Sequence, residues 1–210
     1  IGIDWGVAEV ATTTNPDFNL SCGNQTKNNA DALKSANRKL SRSKRDTKNR
    51  KSARRAVARI HIRIARQRKD RAFKWSRRVV TSFGNIAIED FKPKFLAKST
   101  MAKKAADGAV GMTKNILINM ATSAGRKVML VNPAYTTRSC SACGTRNKAK
   151  MELSNRTFVC ESCGHTAGRD DNAARVVLDR AGFNPANVDG EDLCMTSVVW
   201  RLPEFGISVG

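Results

Sequence analysis

No segment of the chain has the run of about 18 apolar residues that a helix needs to cross a bilayer. The amino terminus, Ile1-Gly2-Ile3-Asp4, has neither the basic nor the apolar region of a signal peptide. The expectation is a protein that stays in a reducing cytoplasm or reaches a nucleus, where the six cysteines are not read as a disulfide framework. An initiator methionine is missing too; Ile1 already reads as part of a buried strand, and an upstream half of the protein is expected to be absent. Acidic residues are few: 18 Asp and Glu face 38 Lys and Arg, giving a formal net charge of +20 and a pI near 10.4. Such an excess calls for a polyanionic partner.

The excess is concentrated. Lys34 to Arg78 holds 20 of the 38 basic residues against Asp46 and Asp70, about +18 of the +20. No Gly or Pro interrupts Lys34 to Phe83, and Ala56, Val57, Ile60 and Ile64 recur at helical spacing. This predicts two basic helices within about 30–83, broken near Ser43 to Lys51. Charge runs are usually solvated faces, but here nearly every base lacks an acid three or four positions on. Phosphates would supply the missing counter-charge. Phe73 and Trp75 are the only aromatic residues between Lys34 and Val80. Their scarcity argues against base stacking on this surface, and both are expected to pack on the core. His61 reads as an ordinary helix residue.

At 210 residues the chain can form one sizeable α/β core, or a smaller core plus an inserted module. Residues 1–22 read as short strands broken at Gly6 and at the turn Asn15-Pro16-Asp17. Asn85 to Asp90 reads as a buried strand stopped by Pro93. A helix over Thr113 to Ala124 ends at Gly125, Lys127 to Val131 forms a further strand, and a last helix runs from about Asp171 to Ala181. Residues 94–111, rich in Ala, Lys and Gly, read as a mobile connection. The tail, residues 183–210, has no clear pattern.

Four cysteines fall as Cys140-Ser-Ala-Cys143-Gly144 and Cys160-Glu-Ser-Cys163-Gly164, 16 residues apart. Each Cys-x-x-Cys-Gly can form a knuckle that points both sulfurs at one ion, the glycine taking the positive φ just after it. Two matched pairs suit one tetrahedral Zn(II), and four thiolates leave no open position, so the zinc is expected to be structural. His165 is expected beside the site rather than in it. Cys22 and Cys194 stand alone and read as small buried apolar residues.

Three acids occupy costly places. Asp4 follows Ile-Gly-Ile, Glu89 follows Ile-Ala-Ile, and Asp170 stands in Gly168-Arg-Asp-Asp-Asn-Ala-Ala174 at a helix start. Each alone has a plain explanation: a turn for Asp4, an arginine partner for Glu89, a helix cap for Asp170. Together, strand acid, strand acid and helix-start acid fit two-metal phosphodiester hydrolysis, in which carboxylates from distant segments hold two Mg(II) about 3.5–4 Å apart.

These motifs carry a resemblance. The sequence resembles the carboxy-terminal half of the TnpB family of transposon-encoded nucleases and the related type V CRISPR effectors. Ile1-Gly-Ile-Asp-Trp-Gly-Val7 looks like their first RuvC motif, Ile88-Glu-Asp-Phe-Lys-Pro93 like the second, and Arg169-Asp-Asp-Asn-Ala-Ala-Arg175 like the third. Asn132-Pro-Ala-Tyr-Thr-Thr-Arg-Ser-Cys-Ser-Ala-Cys-Gly144 is similar to the strand-to-ribbon junction. The resemblance covers about residues 1–181. Trp5 and Gly168 depart from the family's usual residues, and neither change removes a ligand.

What the resemblance implies is an RNase H-like (RuvC) mixed sheet with a basic helical insertion and an inserted zinc ribbon. Residues 1–135 would be the nuclease core, 136–166 the zinc ribbon of target nucleic-acid-binding type, and 167–182 the third-motif helix. Asp4, Glu89 and Asp170 would be the Mg(II) ligands, with Asp170 rather than Asp171 as the motif's acid, and Cys140, Cys143, Cys160 and Cys163 the zinc ligands. Arg138, just before the ribbon, is the candidate for stabilising transition-state charge, and Arg169 for a phosphate or helix-start contact. The activity implied is RNA-guided DNA cleavage with a guide RNA and target DNA as partners, in a prokaryotic cytoplasm beside the nucleoid. Rival readings are an RNA-guided DNA-binding protein that cuts little or not at all, and a zinc-ribbon RNA-binding protein. A transposase is the older alternative, without any sign of strand joining.

Overall fold

In the computed structural model, which describes residues 1–7, 9–90, 108–149, 151–152 and 155–183, the apolar strands of the sequence assemble into one mixed sheet. Strands β1 (Gly2–Trp5), β2 (Glu9–Thr13), β3 (Leu20–Ser21), β4 (Asn85–Glu89) and β5 (Lys127–Val131) lie in the order β3-β2-β1-β4-β5. The β3, β2 and β1 pairings are antiparallel, and those of β1, β4 and β5 are parallel. The turn expected at residues 15–17 is a single 3-10 turn, Pro16–Phe18, begun by Asn15, whose side chain accepts from the Asp17 amide. The connection 94–111 lies almost wholly outside the described residues, as do most of the tail and Cys194.

Between β3 and β4 run a short helix α1 (Gln25–Asn28), then α2 (Ala30–Arg42) and α3 (Lys48–Ser82). The predicted break holds for a local reason. Thr47 caps α3 by accepting from the Arg50 amide, and the Arg50 guanidinium turns back to donate to the Leu40 and Ser43 carbonyls at the end of α2. At 35 residues α3 is roughly 50 Å long. Its last third is anchored most firmly: Ala72, Trp75, Ser76, Val79 and Val80 are buried, whereas before them only Ile64 is buried and most of the basic residues are exposed.

Trp75 packs edge-on against Trp5 and donates to the Phe18 carbonyl at 2.7 Å. Phe73 does not follow it. Two positions round the helix from Trp75, it is 41% exposed beneath Lys69, so the expectation that both aromatics join the core is correct for Trp75 alone.

Helix α4 (Val110–Ser123) joins α3 on one face of the sheet, and α5 (Arg169–Arg180) covers the other. A separate hairpin, β6 (Thr157–Val159) with β7 (Thr166–Gly168), closes around Phe158, which has no exposed surface. No helix among the described residues is long and apolar enough to cross a membrane.

Candidate functional site

Strand alternation sorts the two central strands into opposite faces. Ile1, Ile3 and Trp5, with Ile86 and Ile88, are buried in the core shared with α3 and α4, which turns Gly2, Asp4, Ala87 and Glu89 toward α5. The parallel register pairs Gly2 with Ala87 and Ile3 with Ile88. One step on, Asp4 and Glu89 stand side by side at the carboxyl ends of their strands, 7% and 5% exposed.

The small residues on this face let α5 approach. A Cβ at Gly2 would stand 2.2 Å from the Ala174 carbonyl oxygen and 2.8 Å from Leu178 Cβ. That contact sets the middle and carboxyl-terminal half of α5 against β1, and from the first turn of the same helix the charge of Asp170 acts on Asp4. The structure sets Asp4 beside Glu89, with Asp170 near enough for its charge to act on Asp4; among the described residues, only the four cysteines form a group of three or more whose ligand atoms lie within 4.8 Å of one another. The cap reading of Asp170 does not apply: the N-cap is Gly168, and the Asp170 carboxylate accepts from Arg169 Nε at 3.0 Å with Arg156 at 3.8 Å.

Burial raises the Asp4 carboxyl well above its ordinary 3.8, and the charges of Glu89 and Asp170 push the same way. Burial also raises Glu89 above its ordinary 4.5, against the Thr136 hydroxyl, the bond with Asp4, and the charges of Lys114 and Arg180. The Asp4–Glu89 hydrogen bond acts in opposite directions on the two, raising Asp4 and lowering Glu89.

A stability prediction follows from the sign of these shifts. Both folded values lie above the unfolded ones, so the folded chain binds the extra proton, and this contribution is fully present below about 3.8–4.5 and lost as pH rises through the raised values. In magnesium-free buffer with zinc retained, Tm should fall as pH rises through that window. Mg(II) should restore it, and Asp4→Asn should flatten the dependence; pH-resolved thermal melts measure all three.

Residues not singled out in the sequence support the cluster. Thr136, 2% exposed, donates to Glu89 Oε1 at 2.9 Å. Lys114 Nζ bonds Asp90 Oδ1 at 2.7 Å. The Arg180 guanidinium holds the Asn132 and Ala134 carbonyls and Ser139 Oγ, tying the β5-to-ribbon junction to α5. Their common signal is weak, a polar residue in a half-apolar stretch.

The four cysteines meet as their spacing predicts. Their sulfurs lie within 4.8 Å of one another, with Cys140 to Cys163 at 3.8 Å and Cys143 to Cys160 at 3.6 Å. The two knuckles repeat one geometry: Gly144 and Gly164 both have φ of +72°, and their amides donate to the Cys140 and Cys160 carbonyls. The Ala142 amide donates to Cys140 Sγ and the Ser162 amide to Cys160 Sγ. Hydrogen bonds from Thr145, its side chain before its backbone, hold the Cys143 thiol down to about 6, whereas Cys163, despite a backbone hydrogen bond from His165, is pushed up to about 12 by Cys143 and Cys160. Four converging sulfurs with amide donors fit a zinc ion. His165 stays outside this set; its carbonyl accepts from the Cys160 amide.

Arg138, the candidate for stabilising transition-state charge, is engaged with the ribbon. Its guanidinium donates to the Asn147 carbonyl at 2.8 Å and to the Lys148 carbonyl, and it lies 5.8 Å from the Tyr135 ring centre. Ribbon carbonyls left open by the turn need donors, and Arg138 meets that need. The cations whose charges reach Asp4 and Glu89 are Arg169, Lys114 and Arg180.

Comparison with known proteins finds similarity by sequence and by fold. Residues 1–100 match the OrfB_IS605 family model, described as "Probable transposase", and residues 111–177 match the model described as "Cas12f1-like, TNB domain". The chain is 32% identical over 180 residues to a Streptomyces pristinaespiralis protein bearing the provisional name RNA-guided DNA endonuclease, covering 85% of this chain and 44% of that one. It is 31% identical over 147 residues to TnpB-like protein L79 of Acanthamoeba polyphaga mimivirus, covering 67% of this chain and 28% of that one.

Among solved structures, a CRISPR-Cas12f ternary complex aligns with a TM-score of 0.60 at 20% identity, over 88% of this chain and 38% of that one. A Cas12f1 complex with sgRNA and target DNA aligns at 0.58 and 18% identity, over 88% and 49%. The chain thus shares their mixed α/β fold, and it spans less than half the length of the relatives it matches. The chain carries an OrfB_IS605 domain followed by a Cas12f1-like TNB domain, and is similar in sequence to TnpB-like proteins.

Proposed function

We propose that this chain is the nuclease portion of an RNA-guided DNA endonuclease, in which Asp4, Glu89 and Asp170 hold divalent ions for hydrolysis of DNA phosphodiester bonds. One observation carries the reading. Two nearly buried carboxylates on adjacent parallel strands, crowded by a third from a helix start, form an anionic site that burial and repulsion make costly without cations. The strand order β3-β2-β1-β4-β5, antiparallel on one side and parallel on the other, supports an RNase H-like core of RuvC type. Residues 1–135 are read as that core, 136–166 as a ribbon around one structural zinc, and 167–182 as the helix bearing the third acid.

Two Mg(II), when bound, would stabilise the attacking and leaving oxygens of an in-line displacement. The chain's own residues prepare the site. Thr136 fixes the rotation of the Glu89 carboxylate, Arg169 holds Asp170, and the packing of α5 on Gly2 excludes water beneath the cluster. The exposed face of α3 gives the guide RNA–DNA heteroduplex or the strand to be cut a wall of guanidinium and ammonium groups, a backbone contact without base readout. A cytoplasmic site of action, beside the nucleoid of a prokaryotic cell, accords with this substrate.

The test is incubation of the protein, in the longest form its gene encodes, with guide RNA, matching duplex and Mg(II). Guide- and metal-dependent products are expected. Intact guided DNA binding with no product at any divalent ion would give the reading to a binding protein. Affinity for the heteroduplex should fall by about 10³-fold or more between 50 and 200 mM salt, as for six or more phosphate contacts. Substituting Arg54, Arg55, Arg59 and Arg63 together should flatten that slope.

A further inference from the structure

The third acid differs from the other two in what holds it. Asp4 and Glu89 lie in paired strands of the central sheet, but Asp170 belongs to the first turn of α5, which follows the ribbon's last strand with no residue between: β7 ends at Gly168 and α5 starts at Arg169. Gly168 is the N-cap and offers no side-chain bond to the open amides of that turn. The carboxyl-terminal half of α5 is fixed by the sheet, through Gly2 against Ala174 and Leu178, and through Val177 and Ala181 in the core with Ala87 and Val131. The first turn has a different anchor.

That anchor is Asn172. Its side chain has no exposed surface. Its Oδ1 accepts from the Ser141 amide at 3.0 Å, and its Nδ2 donates to the Ser139 carbonyl at 2.7 Å. These two backbone groups bracket Cys140, whose sulfur belongs to the four-cysteine cluster. Asn172 lies two residues beyond Asp170, about 200° round the helix. One side of the turn therefore grips the first knuckle while the other presents the acid to Asp4. The second half of the ribbon adds a weaker hold: the Arg169 amide donates to the Arg156 carbonyl at 2.8 Å, and its guanidinium to the Asn155 carbonyl at 3.3 Å.

We infer that Asn172 is a positioning residue that makes the place of Asp170 depend on the order of the first zinc knuckle. Loss of zinc then disables the acidic cluster while the sheet stays folded. The inference rests on the proposal that the three acids hold divalent ions, and it assigns to the ribbon a control over that site beyond any contact with nucleic acid. The physical basis is that a knuckle released by its metal no longer offers two fixed partners to a fully buried amide. A carboxylate must be held to within about 0.5 Å for a shared metal site. The residue also differs from the acids in kind, since it touches neither metal nor substrate.

The test is a double perturbation of metal affinity. Mn(II), which prefers oxygen to thiolate ligands, is titrated by electron paramagnetic resonance into four samples: the protein and Asn172→Ala, each with zinc and after zinc removal. Removing zinc should weaken Mn(II) binding roughly 10–100-fold in the unaltered protein, the usual effect of losing a residue that orients a metal ligand. Asn172→Ala should weaken it to a similar degree while keeping one zinc per chain. Zinc removal from Asn172→Ala should then add less than about twofold, because both changes cut one connection. Additive losses, or unchanged Mn(II) affinity in zinc-loaded Asn172→Ala, would overturn the inference.

Asn172→Asp keeps the acceptor for the Ser141 amide but sets an acceptor against the Ser139 carbonyl, and should match Ala. Hydrogen exchange gives a second readout independent of Mn(II). Amides of residues 169–173 should lose protection in Asn172→Ala, with those of β1 and β4 unchanged. Equal loss in β1 and β4 would mean a merely structural role and defeat the inference. If the zinc-loaded protein binds no Mn(II), the reading of the acids fails, and the exchange data still decide whether Asn172 couples the knuckle to the helix.

Discussion

Asp170→Ala should leave the chain folded and zinc-loaded but cut DNA at least about 10³-fold more slowly. A metal ligand supplies several kcal/mol of transition-state stabilisation, and each 1.36 kcal/mol is tenfold in rate. Little stability should go with it. The Asp170 side chain is 35% exposed and does not cap α5, so what is lost is its partly exposed pairing with Arg169 and Arg156 and its interaction with the helix dipole, each about 0.3–1 kcal/mol. Its removal also relieves the repulsion on Asp4. Single-turnover cleavage with saturating guide and target measures the effect. Asp171→Ala, exposed and one position on, should stay within about threefold. Cleavage by Asp170→Ala at the unaltered rate would remove the two-metal reading, and a silent change is what a zinc-ribbon RNA-binding protein would show.

Gly2→Ala should destabilise the protein by about 3 kcal/mol, the upper end for overpacking a core, and lower cleavage further than the stability loss explains. The new Cβ would stand 2.2 Å from the Ala174 carbonyl oxygen and 3.0 Å from the Leu178 amide nitrogen. These are helix backbone atoms, with no rotamer to yield, so α5 must move off the sheet and take Asp170 with it. Urea unfolding gives the stability, and Mn(II) affinity in the folded fraction gives the displacement. Gly84→Ala is the control, since a Cβ there meets nothing within 4 Å, and it should be neutral or slightly stabilising. A Gly2→Ala protein with unaltered midpoint and metal affinity would mean that α5 does not lie this close to β1.

Much of the site was legible because the covalent pattern and the chemistry coincide. Cys-x-x-Cys-Gly encodes its own turn, so sulfur convergence needs little beyond local backbone geometry. Ile-Gly-Ile-Asp and Ile-Ala-Ile-Glu announce an acid at a strand end, because period-two alternation leaves one polar residue facing away from the isoleucines. The helix break before Thr47 was legible too, as a local excess of Ser, Thr, Asn and Asp. Phe73 misled, and the contacts of Arg138 were not foreseen, for one reason. Which side of a helix is buried, and which carbonyls of a turn lack donors, depends on partners that composition does not reveal.

The sequence by itself determined which side chains are the candidates for the chemistry: three carboxylates, four thiols and a basic stretch with two acids among twenty bases. Only the tertiary structure decided how they are held. The parallel register of β1 with β4 made neighbours of Asp4 and Glu89, the absence of a side chain at Gly2 admitted α5, and Asn172 bound that helix to the knuckle. The physical reason is range. Alternation and knuckle turns act between residues a few positions apart, whereas register, close helix packing and the pairing of a buried amide join segments far apart in the chain and exist only once the chain has closed on itself.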